Sequence, residues 1–436
     1  MILALLLAMW SFVANPPSDA EKYWPQWRGP SATGVAPKAN PPLQWSEEKN
    51  IRWKVEISGK GSSSPIVWGD RIFVTTAIET DKTVAPSEPA SEGSRRRGIA
   101  PSSVHQFVLL ALSRRDGKII WQRNAVEALP HEGTHQDGTW ASNSPVTDGV
   151  HVIAFFGSRG IFCYDMNGKL IWQKDLGDMT TRNSFGEGSS PALHGNTLVT
   201  NWDHEGQSFI VALDKRTGKE LWKADRDEPT TWSTPLVVTD QGKPQVIINA
   251  TNRVRSYDLA NGKLIWESAG TTLNAIPSPV AADEMVYVTG GFRGSALFAI
   301  RFAGAQGDLS NSAAVVWKYD QDTPYVPSPL LYDGKLYFLK VNSGILSCFN
   351  AKTGEPYYSR QRLESIANIY ASPVGAAGRV YLVGRDGATL VIKNSESFEE
   401  LATNKLDDAI DASPALVDNE IFLRGRKFLY CIAEKQ

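Results

Sequence analysis

The chain repeats one pattern of apolar and polar positions eight times. Each copy opens on Ser-Pro or Thr-Pro, passes through a few apolar residues into a polar turn, and continues in an alternating apolar run. The marker prolines are Pro65, Pro145, Pro191, Pro235, Pro279, Pro329, Pro373 and Pro414, at spacings of 80, 46, 44, 44, 50, 44 and 41 residues. The runs after the turn, such as 71–75, 197–200, 285–289, 335–339 and 379–383, are rich in β-branched and aromatic residues, which predicts strands. A third strand then ends in Asp-Gly, Asn-Gly or Thr-Gly and opens a fourth on Trp, as in 113–121, 163–172, 212–222 and 256–266. Those dipeptides supply the positive φ that tight hairpins need. The Trp, at a fixed offset after the turn, is placed to pack between neighbouring sheets.

Four short antiparallel strands in about 40–50 residues make a β-propeller blade. The expected fold is therefore all-β, an eight-bladed propeller. The last copy runs out of chain after residues 428–432, one strand short, and residues 50–57 match the missing strand that bears the repeat Trp. The N-terminal strand should complete the eighth blade and leave no exposed edge in the ring. Cys163, Cys348 and Cys431 share one repeat position with Ala111, Ala212, Ser256 and Ala299. That slot is small and buried, and blades two, six and eight lie too far apart for a disulfide, so three buried free thiols are expected. The long first spacing comes from an insert, 79–104, with Ser, Pro, Glu and the run Arg95, Arg96 and Arg97; it reads as a mobile surface loop.

Composition adds compartment and excludes partners. The 436 residues carry 14 Trp, 36 Gly and 25 Pro but a net charge of only −2, so no basic footprint points to nucleic acid. Residues 2–13 are almost wholly apolar, too few to span a bilayer but suited to a secretory signal, with Ser18 and Ala20 at −3 and −1 of a cut before Glu21. The expected organisation is a signal peptide over 1–20, an N-terminal extension over 21–49 and one propeller domain over 50–436. The mature protein is expected to be exported and soluble, periplasmic or extracellular. No later stretch spans a membrane, and no Cys near the cut offers a lipid anchor.

From Trp24 onward the chain resembles the pyrroloquinoline-quinone-like repeat β-propellers. The resemblance rests on Leu213-Asp-Lys-Arg-Thr-Gly-Lys-Glu-Leu-Trp222 and its copies, and on the opening Trp24-Pro-Gln-Trp-Arg-Gly-Pro30, which looks like that of exported bacterial members. It implies one of two uses. Quinoprotein dehydrogenases hold the quinone and Ca²⁺ on the propeller axis; the propeller subunit of the outer-membrane β-barrel assembly machinery holds no cofactor and acts as a scaffold. This chain has neither the adjacent-cysteine pair and Cys-x-x-Cys-His segment associated with the first nor the lipid-attachment Cys of the second. The leading expectation is an exported binding or scaffold protein for an envelope protein or a small ligand. The alternative is a quinone- and Ca²⁺-dependent oxidoreductase working at the channel mouth. Sugar or polymer binding by exposed Trp is a third.

Residues just before each Ser-Pro are expected to line that mouth: Trp140 and Asn143; Arg182, Asn183 and Glu187; Trp232; Asn274; Tyr325; Asn368 and Tyr370; Asp408 and Asp411. Carboxylates and amides beside aromatics suit Ca²⁺ and a planar ligand, provided Glu187, Asn274 and Asp411 converge; a wet polar rim is the simpler reading. Arg253, Arg255 and Arg293, near strand starts, either meet an anionic ligand there or bridge blades. His131-Glu-Gly-Thr-His135 matches the zinc-protease pattern. Pro130, Gly133 and the Asp137-Gly138 turn argue against the helix that chemistry needs, leaving a polar loop, a loop metal site or a bonded His pair. Asp203, His204 and Glu205 read as a solvated hairpin or, less simply, a general-base cluster. No metal site is assigned.

Overall fold

The computed structural model describes residues 19–84 and 98–434. Eight antiparallel sheets follow one another along the chain, each with its first strand innermost and its last strand outermost. The innermost strands of neighbouring blades touch one another around a common axis at seven of the eight junctions. Blade 8 is completed from the other end of the chain: Ile51–Glu56 pairs with Phe428–Ala433, with Trp53 opposite Cys431. Blade 4 carries a fifth strand, because Gly307–Asp308, from the insertion behind the 50-residue spacing, adds in parallel to its outer edge. Among the described residues no helix is long and apolar enough to cross a membrane.

The repeat Trp works as the sequence suggests. Trp172 of blade 2 lies over the turn of blade 3 and donates its indole N–H to the Lys215 carbonyl at 2.8 Å. Gly218 holds that turn at φ +69°, and a Cβ there would meet the indole ring at 2.6 Å. Trp53, Trp121, Trp222 and Trp317 bond in the same way to the next blade's turn. Trp266 differs: the insertion in blade 5 replaces the short Gly turn, and the indole donates instead to Gln245 of its own blade. The cysteine slot is small because it faces this Trp across the ladder, as Cys163 faces Trp172 and Ala212 faces Trp222. All three thiols are free and buried, and burial pushes Cys163 and Cys348 up to about 12.

Two boundaries differ from expectation. The strands Arg71–Thr83 and Ser103–Ser113 run into the insert, with Glu79 opposite His105 and Thr83 opposite Ser103, so the loop is shorter than 79–104. Residues 85–97, with the Arg run, and 1–18, most of the expected signal peptide, lie outside the described residues.

The N-terminal extension is part of the ring. Trp24 bridges to Val67 of blade 1, Pro25 accepts from Thr147 of blade 2, and Trp27 donates to Ser278 of blade 5. Arg28 donates to the carbonyls of Pro329 and Pro373, in blades 6 and 7, at 2.6 and 2.5 Å. Asn40 then bonds to Asp418 of blade 8. Arg28 is buried without an acidic partner among the described residues, and desolvation lowers its guanidinium to about 9.

Candidate functional site

The Ser or Thr of every repeat marker joins a closed girdle. The Ser64 N–H donates to Ser144 Oγ, the Ser144 N–H to Ser190, Ser190 to Thr234, and Thr234 to Ser278. Ser278 continues to Ser328, Ser328 to Ser372, Ser372 to Ser413, and Ser413 back to Ser64. All eight bonds measure 2.8–3.1 Å. Each side-chain oxygen accepts; among the described residues none of these hydroxyls has a protein acceptor for its own hydrogen.

Seven of the eight girdle residues line a cavity of about 280 Å³ on the axis. Residues that follow the markers in sequence meet the N-terminal segment, whose Trp27 closes that end. Residues that precede them form the other end, with Phe185, Trp232, Tyr325 and Tyr370 as aromatic walls and residues 134–139 across the top. That top segment joins blades 1 and 2 but is tied to blade 7, because Asp137 accepts from Arg385 at 2.9 Å and from the Tyr370 hydroxyl at 3.2 Å. Burial opposes the Asp137 charge, but the Arg385 bond outweighs it and holds the carboxyl below its ordinary range. Arg385 also donates to Asp411 at 2.6 Å and lies 3.9 Å over the Tyr370 ring, while Arg426 takes the other Asp411 oxygen. Among the described residues no Lys or Arg lines the cavity itself.

Of the mouth residues expected from sequence, Glu187, Trp232, Tyr325, Tyr370 and Asp411 line the well together, joined by His135. The Glu187 carboxylate turns away: it accepts the Ser158 N–H at 2.7 Å and the Ser158 hydroxyl, in space left by Gly157. Burial pushes it up to about 7.

The others are elsewhere. Trp140 donates to the Glu132 carbonyl beside His105, and Asn143 is buried against the Ser189 carbonyl of blade 3. Arg182 and Asn183 sit in the short turn Arg182–Ser184, where Asn183 has φ 58° and its carbonyl accepts from Gly98. Asn274 is buried with its Oδ1 unpartnered and does not reach the cavity. Asn368 is exposed, and its carbonyl accepts from the Arg385 N–H. Asp408 caps the amides of Lys427 and Phe428.

Two of the three arginines take the ion-pairing role and not anion binding. Arg253 pairs with Asp308, and Arg255 with Asp227, Glu228 and Glu267. Arg293 is exposed and rests on Phe292, itself stacked on Tyr325.

His131 to His135 is non-helical, as its Pro and Gly suggested; His131 faces Asp178 and His135 accepts from the Asp137 N–H. The expectation of a solvated hairpin at Asp203, His204 and Glu205 holds for Glu205, which is exposed, and is corrected for Asp203 and His204, which are buried. Asp203 is fully buried against Arg226 at 2.7 Å, His204 Nδ1 accepts from Thr180, and Glu205 accepts from Thr230. These groups brace loops and face no cavity large enough for a substrate. The girdle hydroxyls, Trp27 and Phe185 were not anticipated. Their signal was present as the Ser or Thr before every marker Pro and the second Trp of the opening motif.

An eight-bladed ring, closed by its own N-terminal strand around an axial well, defines the class. The chain belongs to the family of pyrroloquinoline-quinone-like repeat propellers described as outer membrane protein assembly factor BamB, which matches residues 43–200, 105–359 and 206–435. It is similar in structure to BamB from Moraxella catarrhalis (TM-score 0.51, 14% identity, 82% of this chain and 98% of that one). It is similar too to the computationally designed Ika8 protein (0.57, 12%, 87% and 99%). A third likeness is to the quinohemoprotein alcohol dehydrogenase ADHIIG from Pseudomonas putida HK5 (0.55, 12%, 96% and 77%). At these identities the likeness establishes the fold alone. No curated protein matches the sequence.

The quinone and Ca²⁺ of the dehydrogenase branch do not fit this well. Pyrroloquinoline quinone is a tricarboxylate, and among the described residues no Lys or Arg lines the cavity to offset its desolvation. The three expected Ca²⁺ ligands do not converge: Glu187 is bonded to Ser158, Asp411 sits between two guanidiniums, and Asn274 is outside.

Proposed function

We propose that this protein is a non-catalytic binding propeller of the cell envelope, a rigid ring that holds a ligand or partner without transforming it. The reading is carried by one observation: the carboxylates of the well are already engaged by protein partners. Asp137 and Asp411 share Arg385, and Glu187 is bonded to Ser158, so no carboxylate among the described lining is left free as a general base or a Ca²⁺ ligand. The assembly-factor family supports an envelope role, and the apolar N-terminal run followed by Ser18 and Ala20 supports export.

The test is calorimetric titration with pyrroloquinoline quinone, with and without Ca²⁺, on protein recovered from the periplasmic fraction of expressing cells. Recovery there with no saturable heat is expected. Ca²⁺-dependent saturable binding overturns the non-catalytic reading, and retention in the cytoplasm overturns its location.

A further inference from the structure

We propose that the axial well takes a neutral, hydroxyl-bearing ring, a single saccharide unit, held between the hydroxyl girdle and the aromatic walls. This rests on the binding reading above and names the ligand class of the same site.

The girdle asks for acceptors. Buried polar groups are almost always partnered, yet the hydroxyl hydrogens of Ser144, Ser190, Ser328, Ser372 and Ser413, all at most 4% exposed, have no acceptor among the described residues while these residues line the cavity. A ligand that presents acceptor oxygens around its whole perimeter answers this; one with a single polar end leaves most of the ring unmatched. Above and below, the partly buried rings of Trp27, Trp232, Tyr325 and Tyr370 offer flat apolar faces of the kind that the C–H face of a sugar ring covers.

Charge then excludes the ionic alternatives. An anion would meet Asp137 and Asp411 with no Lys or Arg on the lining among the described residues, and a cation would have to displace guanidiniums already bonded to those carboxylates. Two carboxylates against Arg385 and Arg426 leave the top of the well without net charge. The volume, about 280 Å³, is at the lower end of small-molecule pockets and suits a ring, not a stretch of polymer.

The experiment titrates the purified protein with glucose, galactose, mannose, N-acetylglucosamine and their β-1,4-linked disaccharides, followed by calorimetry and by the fluorescence of Trp27 and Trp232. Glucuronate and glucosamine are the charged counterparts. At least one neutral sugar is expected to bind saturably and perturb the fluorescence, with its charged counterpart about tenfold weaker or worse. Trp232→Ala is expected to weaken binding about tenfold or more. Trp232 belongs to no core cluster; should that variant not fold, Trp232→Phe serves, and Tyr325→Phe removes one polar contact while keeping the stack on Phe292. A disaccharide that binds better than either unit alone identifies a glycan end as the source; equal affinities identify the free sugar. No binding of any neutral sugar at millimolar concentration by the folded protein, or tighter binding of a charged counterpart, overturns the proposal. Either result leaves the binding propeller standing, because the quinone titration alone decides that reading.

Discussion

Replacing Ser190 by Ala tests whether the girdle is a structural ring and not a row of coincident hydroxyls. Ser190 Oγ accepts the Ser144 amide at 2.9 Å, and both residues are at most 3% exposed. Alanine leaves that amide buried without an acceptor, a loss of about 1–3 kcal/mol. Unfolding entropy of about 2 cal/mol/K per residue gives a chain of this length roughly 0.9 kcal/mol per degree, so the melting temperature should fall by about 2 °C. Ser190→Thr is the control, because Thr234 fills the equivalent slot in the next blade with its hydroxyl bonded in the same way; a change within about 0.5 kcal/mol is expected. Calorimetry gives the global number and amide exchange the local one: Ser144 should lose about tenfold or more in protection, since each 1.4 kcal/mol is tenfold. Adding Ser372→Ala in blade 7 should give additive losses, as distant sites do. Unchanged exchange at Ser144, or a threonine variant as damaged as the alanine one, would refute the girdle as a stabilising ring.

Gly218→Ala should cost about 2–4 kcal/mol, adding a left-handed backbone penalty to overpacking against Trp172. Gly334→Ala, at φ +70° with nothing within 4 Å, should cost only about 1 kcal/mol, and equal melting shifts for the two would show that the Trp contact contributes nothing. Glu187 titrates near 7 in the fold, above its ordinary 4.5, so the folded state holds its proton more tightly. That contribution is fully present below pH 4.5 and lost as pH rises through about 7, reaching about 3 kcal/mol. Glu187→Gln should therefore match the wild type at pH 5 and exceed it at pH 8; a melting difference that does not change with pH refutes this.

The fold was legible because its repeat encodes backbone requirements. A Gly must lie beneath every repeat Trp but Trp266, a small residue must face that Trp across the ladder, and a strand absent at one end of the chain must be supplied by the other. The limits of the first insert were not legible, since residues 79–83, Glu-Thr-Asp-Lys-Thr, have a loop's composition yet continue a strand by pairing with residues 103–105. The site was half legible. Positions before the markers share a register, but side-chain direction depends on partners remote in sequence. Glu187 turns into space left by Gly157, and Asp203 is buried because Arg226 waits 23 residues away.

The same markers explain the opening motif. At seven of the eight the Ser or Thr lines the well, while at Pro329 and Pro373 the next carbonyl faces the opposite end and accepts from Arg28. A guanidinium presents several donors in one plane, so a single side chain can bridge two blades where a lysine ammonium, a point donor, would reach fewer carbonyls. Trp27, one residue earlier, donates to the girdle at Ser278 and floors the well. Residues 51–56 close the ring around its circumference. The first part of the described chain thus closes the propeller along its axis and around its rim, and the well exists as a one-ended site because Trp27 and Arg28 occupy the other end.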